Sequence, residues 1–310
     1  NYLCYVPLRK LFSEYKKTLK ENMKYLDVIG KSKIWLTISG VLMAASIISV
    51  LVFGLNVGID FTGGALMDIS FDETVTIDQV RAVYETSELS ATVQQSSDTE
   101  FLVRLEELTQ EQHTQLISDL ESQIGSFEEN RYEAIGSVIG SELKATSMKA
   151  ILILLVLIVI YVAWAFRKVS EPVKSWKYGV LTIVAAAHDV ILPLGIFAAL
   201  GHFLGYEINT AFVAALLTIL GYSINDTIVI FDRTRENLVN NRNSSKPFDE
   251  IVNMSVVQSF ARSINTSFTT LLVLMAIFLF GGETVKPFIL ALIIGVLSGA
   301  YSSIFLASPL

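Results

Sequence analysis

The sequence predicts a polytopic α-helical membrane protein with six transmembrane helices and one extracytoplasmic α+β domain. Hydrophobic residues make up 52% of the 310 residues, and charged residues make up only 17%. Soluble domains carry about 25% charged residues, so this chain falls well outside that class. The deficit is concentrated in long segments with almost no charge, as in integral membrane proteins.

Six segments are long and apolar enough to span a membrane, since a spanning helix needs about 20 predominantly apolar residues. The first is too long and too far from the N-terminus to be a signal peptide. A basic segment, 1–33, precedes it, and the last five spans form a bundle over 148–310 with a cytoplasmic loop at 232–262. The predicted spans are residues 34–55, 150–166, 178–204, 208–231, 263–280 and 288–309.

Lysine and arginine residues flank the spans on one side only, which predicts the orientation of the chain. They lie in the N-terminal segment and in the loops after the second and fourth spans, whereas the short loops on the opposite side hold only Lys286. Both termini are therefore expected in the cytoplasm. Examples of the basic residues are Arg9, Lys10, Arg167, Lys168, Arg233 and Arg235.

The loop between the first two spans, 56–147, lies outside the membrane in this orientation and is long enough to fold. It is acidic, and its periodicity predicts the element order βαββαβ, with Thr76 as the N-cap of the first helix. That order is typical of a ferredoxin-like domain. The predicted elements are ALMDISF, TIDQVRAVYET, ATVQQS, EFLVRLE, TQEQHTQLISDLESQI and FEENRYEAIG.

Motifs for catalysis or cofactor binding are absent from the sequence. There is no G-x-x-x-x-G-K-[ST] loop for ATP and no nucleophile elbow. The histidines His113, His188 and His202 and the single cysteine, Cys4, are too scattered to predict a metal site. The sequence therefore indicates a protein that is not an enzyme and holds no cofactor, and whose energy source is not its own hydrolysis of ATP.

Charged residues inside or at the ends of the predicted spans are few: Asp189 in the third, Asp226 in the fourth and Arg262 at the mouth of the fifth. An aspartate at the centre of a span costs about 2.5–3.5 kcal/mol on insertion scales. Asp226 lies about 9 Å inside the cytoplasmic end of the fourth span, at 1.5 Å per residue. Arg262 enters the fifth span from the same side, so the two charges are expected at comparable depth, where they could pair.

Polar residues near this pair predict a seam between the fourth and fifth spans. A lane of hydroxyl, amide and carboxylate groups could hold water and pass a proton, and ionisable groups inside membranes are functional by default. The alternative is a static polar clasp between helices. For Asp189, a structural role and a direct role are equally favoured. The seam residues are Tyr222, Ser223, Asn225, Asn265, Thr266, Thr269 and Thr270.

A glycine-rich motif, GIDFTGG, joins the first span to the α+β domain. The glycines Gly58, Gly63 and Gly64 suit a tight, unusual backbone at the membrane surface. Asp60 is either a turn or capping residue or a functional group. We expect the motif to act as the hinge of the domain.

Four stretches together resemble the SecD/SecF family of protein-export membrane subunits, and specifically its SecF branch, distant relatives of the resistance-nodulation-division (RND) transporters. The resemblance covers the chain from about residue 34 onward. The stretches are GIDFTGG after the first span, GYSINDTIVIFDRTREN at the end of the fourth, QSFARSINTSFTTLL opening the fifth and FGG ending it.

The resemblance implies six spans with one ferredoxin-like domain, in a bacterial cytoplasmic membrane. It implies a homologous SecD partner, separate or fused, and work with the SecYEG translocon, and possibly YajC, on a translocating preprotein. The energy source implied is the proton motive force, with the proton-pathway aspartate at Asp226 and the functional arginine at Arg262. No nucleic acid is implied as a partner.

Two features depart from the family pattern. Residues 1–30 are longer than expected before the first span, and the usual basic tail after the last span is missing. Two other classes of function stay open at this point. One is half of a proton-coupled exporter of small molecules or lipids, and the other is an assembly scaffold that transduces no energy.

Overall fold

Long apolar helices and one small sheet domain make up the protein in this computed structural model, which describes residues 27–87, 89–165, 175–242 and 244–310. Most of the predicted basic segment 1–33 lies outside the described residues. In chain order the elements are α1 (Ser32–Phe53), α2 (Ile59–Thr62), β1 (Gly64–Phe71), α3 (Ile77–Thr86), β2 (Ala91–Gln95), β3 (Glu100–Leu105), α4 (Gln110–Gln123), β4 (Phe127–Ile135), α5 (Ser137–Ala165), α6 (Ser175–Leu204), α7 (Thr210–Asn240), α8 (Phe248–Phe280) and α9 (Lys286–Ser302).

The fold class predicted from the sequence is confirmed. Within the described residues, six helices are long and apolar enough to cross a membrane, namely α1, α5, α6, α7, α8 and α9. The last of them continues as a π-helical turn over Ser303–Ala307. The chain divides into two compact units, of which one comprises Ser49–Leu154 with Ile196–Ala215 and the other the remaining helices.

The long helices extend beyond the apolar segments predicted as spans. The stretch predicted as a loop, 232–262, is mostly helical, because α7 continues to Asn240 and α8 already begins at Phe248. Ion pairs at i,i+3 support this polar end of α7: Arg235–Asp232 at 3.1 Å and Arg233–Glu236 at 2.7 Å. Hydropathy marks only the part of a helix that lies in lipid, so it misses such polar ends.

The sheet domain, 64–135, has the predicted βαββαβ order and one antiparallel sheet with strand order β2-β3-β1-β4. Strand β1 lies at the centre, where Met67 pairs with Val103 of β3 and with Tyr132 of β4. Inward-facing residues of the sheet and of α3 and α4 form one core, which includes Met67, Phe101 and Leu120. This is the ferredoxin-like arrangement.

Both helices of the sheet domain begin with a capping box. Thr76 accepts a hydrogen bond from the backbone N–H of Gln79, and the Gln79 side chain accepts one from the Thr76 N–H at 2.9 Å. Thr109 and Gln112 repeat this arrangement at the start of α4. These local signals explain why the sequence located both helix starts accurately.

Helices α1 and α6 cross at Gly195, where there is no space for a side chain. A Cβ at this position would overlap the backbone and the Cβ of Ser46. Close approach of backbones at small residues is a common way of packing helices in membranes.

We expect Gly195→Ala to lower the free energy of unfolding by about 1–3 kcal/mol, because overpacking forces the helices apart. Gly40→Ala on α1 is the matched control, since no atom lies within 4 Å of the added Cβ. Thermal denaturation in detergent measures both effects. Equal stability of the two variants would contradict the close crossing.

Candidate functional site

Helix α7 carries Asp226 into the interior of the bundle. Asp226 is only 4% exposed, and Ile224 and Ile230 on the same helix are buried as well. A buried carboxylate in a membrane helix needs a polar or charged neighbour to be tolerated.

Two groups on α8 act on the carboxylate of Asp226. They are the hydroxyl of Ser263 and the guanidinium of Arg262, which acts on it electrostatically. Neither Asp226 Oδ2 nor Ser263 Oγ has a hydrogen-bond partner of good geometry among the described residues. Asp226 is thus a buried carboxylate with an unsatisfied oxygen.

The expected contact between Asp226 and Arg262 is only partly formed. The structure brings the two residues to neighbouring positions, but they do not form an ion pair. Arg262 is exposed on the surface of α8, whereas the adjacent Ser263 is completely buried. The rotation of α8 determines which side chain faces the carboxylate, and this rotation turns Ser263 inward and Arg262 outward.

Asp189 on α6 has a different environment from Asp226. It is completely buried and accepts hydrogen bonds from Ser223, from Ser302 at 2.7 Å and from Ser298 at 2.8 Å. His188 Nδ1 lies 3.0 Å from its other oxygen, and His188 Nε2 has no partner among the described residues. Both oxygens of this carboxylate are therefore satisfied.

The hydrogen-bonded seam joins α6, α7 and α9, where the predicted members Ser223 and Asp189 meet. A second predicted contact, between Tyr222 of α7 and Thr270 of α8, is also present. Thr227 and Ser303 extend the seam with a contact of 3.1 Å between their hydroxyls. Gly299 lets α9 approach α7, because a Cβ there would lie 2.8 Å from the Cβ of Ser223. Sequence reasoning missed the serines of α9, although the run SGAYSS is a signal for close helix packing.

Three of the predicted seam residues of α8, namely Asn265, Thr266 and Thr269, are exposed. Thr266 donates a hydrogen bond to the Arg262 carbonyl at 3.1 Å, and Thr269 donates one to the Asn265 carbonyl at 3.0 Å. Thr270 lies 3.4 Å from the Tyr222 hydroxyl of α7. We call the exposed residues the polar strip; they are Asn225, Arg262, Asn265, Thr266 and Thr269.

The glycine motif has the tight backbone that was predicted. Gly63 and Gly64 have φ of 78° and 125°, conformations that disfavour other residues. A Cβ at Gly63 would lie 2.7 Å from the Cα of Ser137. Asp60 caps α7, since its carboxylate accepts hydrogen bonds from the backbone N–H of Thr210 at 2.8 Å and from its hydroxyl. The hinge role of the motif stays a prediction.

Six membrane-spanning helices, a ferredoxin-like domain and two buried carboxylates define a polytopic membrane protein of the transport class. The family model "Protein export membrane protein SecD/SecF, C-terminal" matches residues 115–310, and the SecD/SecF GG motif matches residues 48–75. The first match covers more than half of the chain. The chain belongs to the SecD/SecF family of protein export membrane proteins.

The relatives are similar along most of their length. The protein translocase subunit SecF of Thermobaculum terrenum is 40% identical, with 92% of each chain covered. The subunit SecF of Sebaldella termitidis is 35% identical, with 92% of this chain and 90% of the relative covered.

Solved structures of SecDF have the same fold. The crystal structure of SecDF from Thermus thermophilus, a translocon-associated membrane protein, matches 91% of this chain with a TM-score of 0.80 and 35% identity. A second SecDF structure, in a super-membrane-facing form, matches with a TM-score of 0.65 and 34% identity. The chain spans 38% of the length of each SecDF chain.

Proposed function

We propose that this chain is a SecF-type auxiliary subunit of the Sec translocase that, with a SecD partner, uses the proton motive force to promote late-stage preprotein translocation. The observation that carries this proposal is Asp226, a buried carboxylate on a membrane helix with an oxygen that lacks a hydrogen bond and with Arg262 nearby. Such a group can gain and lose a proton inside the membrane.

The two buried aspartates support different roles. Protonation of Asp189 would disturb hydrogen bonds from three serine hydroxyls, which hold the carboxylate in place. Protonation of Asp226 at Oδ2 disturbs none, because this oxygen has no partner among the described residues. We therefore propose Asp226 as the proton carrier and Asp189 as a fixed anchor of the bundle.

The polar strip supports a second membrane subunit as the partner. Arg262 and Asn265 are exposed on the surface of α8, and a charged or amide side chain is costly when it faces lipid. Membrane helices usually turn such groups toward other helices. A homologous six-helix bundle of the SecD type would cover the strip and enclose the carboxylate of Asp226 behind it.

The orientation follows the distribution of basic residues. We propose that both termini lie in the cytoplasm and that the sheet domain lies outside the cytoplasmic membrane of a bacterium, because positive charges collect in cytoplasmic loops. In this orientation Asp226 lies toward the cytoplasmic end of α7. The sheet domain then faces an emerging preprotein on the far side of SecYEG, with YajC as a possible further subunit.

The proton gradient supplies enough energy for this mechanism. One proton that crosses the full field releases about 2.3 kcal/mol per 100 mV. This free energy can bias a two-state movement of the helices by roughly fortyfold to fiftyfold, since 1.4 kcal/mol corresponds to a factor of ten. Protonation and deprotonation of Asp226 would then drive the movement once per cycle.

The test is preprotein export into membrane vesicles that contain this chain, its SecD partner and the Sec translocon. We expect the stimulation of export by this chain to disappear when an uncoupler collapses the proton gradient, while ATP-driven export without the chain continues. An assembly scaffold would stimulate export equally with and without the gradient. Half of an RND-type exporter would not stimulate preprotein export in either condition.

A further inference from the structure

The short segment between α6 and α7 is attached to the sheet domain by a buried ion pair. Glu207 in this segment pairs with Arg104 of β3, and the side chains are only 14% and 17% exposed. Burial lowers the pKa of the Arg104 guanidinium, but an arginine keeps its charge in proteins. This contact thus removes two charges from water. It lies just before the start of α7, whereas Asp226 lies further along the same helix.

Neighbouring hydrogen bonds attach the arginine of this pair to the edge strand β2 and to the segment after α6. Arg104 Nη2 lies 3.4 Å from the side-chain oxygen of Gln94 on β2 and 3.4 Å from the carbonyl of Gly205, to which it donates. Gln94 in turn donates a hydrogen bond to the Leu204 carbonyl at 2.9 Å. The sheet edge therefore holds the end of α6 as well as the segment that follows it.

The same segment is also bound to the glycine motif through backbone hydrogen bonds. Val57 and Ile208 form a parallel β-bridge, in which the Gly58 N–H donates to the Ile208 carbonyl at 3.0 Å. A Cβ at Gly58 would lie 3.1 Å from Glu207 Oε2, so a glycine leaves room for the buried glutamate. Asp60 completes the attachment as the cap of α7.

These contacts join the first turn of α7 to the sheet domain at two places. The β-bridge and the Asp60 cap hold the start of α7 against the linker before β1. The Arg104–Glu207 pair holds the preceding segment against β3, the neighbour of β1 in the sheet. Residues 207–210 are therefore held by both the glycine motif and strand β3, so a displacement of this segment acts on both.

A cavity beside the ion pair leaves space for such a movement. It has a volume of about 890 Å³, and its lining includes Arg104, Gln94, Gly205 and His202. The contacts that must stay intact are the ones described above.

We propose that Arg104 and Glu207 are positioning residues of the translocation cycle, and that their ion pair transmits the displacement of α7 to the sheet domain. This inference rests on the proposed function, in which protonation of Asp226 moves α7. The pair acts through α7 and touches neither the proton nor the preprotein. It converts movement of a membrane helix into rotation of the domain outside the membrane.

The test uses Glu207→Gln, Arg104→Gln and the charge-reversed double variant Arg104→Glu/Glu207→Arg in the vesicle export assay. We expect each single variant to reduce the gradient-dependent part of export by about tenfold, a typical coupling between distant sites. The double variant should restore most of it. Arg131→Gln is the matched control, because its pair with Glu133 at 2.5 Å lies on the same sheet but is 35% and 39% exposed.

Three outcomes would overturn the proposal. The first is normal gradient-dependent export in both single variants. The second is a loss in the single variants that the double variant does not restore. The third is a loss explained by a lower amount of folded protein, measured as the protease resistance of the sheet domain in the vesicles. If Asp226→Asn and the single ion-pair variants all export normally, the proposed function itself fails. If Asp226→Asn is defective and the single ion-pair variants are normal, only the role of the ion pair is refuted.

Discussion

Replacing Asp226 with asparagine is expected to abolish the gradient-dependent stimulation of preprotein export while the protein accumulates in the membrane at its normal level. Asparagine keeps the shape of the side chain, but its amide cannot take up or release a proton at physiological pH. It also removes a buried carboxylate with an unsatisfied oxygen, so the folded protein should be at least as stable as the wild type. Export rates and membrane levels measured together separate the two effects.

The matched control for this variant is Asp232→Asn, which lies on the same helix. Asp232 is exposed and forms an i,i+3 ion pair with Arg235 at 3.1 Å. Such surface pairs contribute at most about 1 kcal/mol, so export should stay at the wild-type rate. Arg262→Met should resemble Asp226→Asn, because it removes the charge that acts on the carboxylate. Wild-type export by Asp226→Asn would show that this carboxylate carries no coupling.

The second large effect is expected at Asp189, where the same substitution should destabilise the fold. Asparagine presents an N–H₂ group to serine hydroxyls that now donate to a carboxylate, so at least one of these buried donors loses its acceptor. Hydrogen bonds to a charged group contribute about 1.5–3 kcal/mol each. We expect the free energy of unfolding to fall by about 3 kcal/mol, measured by thermal denaturation in detergent.

Asp226→Asn is the internal control for this experiment, since both variants remove one buried carboxylate from the same bundle. The two variants should have different effects: Asp189→Asn lowers the stability of the fold, and Asp226→Asn abolishes proton coupling. An Asp189→Asn protein with normal stability and no gradient-dependent export would assign the proton to Asp189. The distinction between anchor and carrier would then be wrong.

The sheet domain could be predicted from the sequence because its signals are local. The alternation in ALMDISF matches β1 (Gly64–Phe71), and Thr76 caps the helix start at which it was expected. Each signal needs only a few neighbouring residues. The order of the elements then leaves the ferredoxin-like arrangement as the simplest way to bury one face of the sheet.

The geometry of the bundle could be predicted only in part. The sequence places Asp226 and Arg262 on neighbouring helices, but it does not determine the rotation that turns Arg262 outward and Ser263 inward. The serines that satisfy Asp189 carry no charge, so nothing in an apolar span distinguishes them as its partners. Arg104 and Glu207 are more than a hundred residues apart in the sequence, and no local pattern links them.

The most direct test of the central claim is proton movement itself. Vesicles that contain this chain, its SecD partner and the Sec translocon, with a pH-sensitive dye inside, report how fast an imposed proton gradient decays during export. We predict that the wild type and Asp232→Asn accelerate the decay, and that Asp226→Asn slows it to the rate of vesicles without this chain. Proton movement through Asp226→Asn at the wild-type rate would contradict the role of Asp226 as the proton carrier.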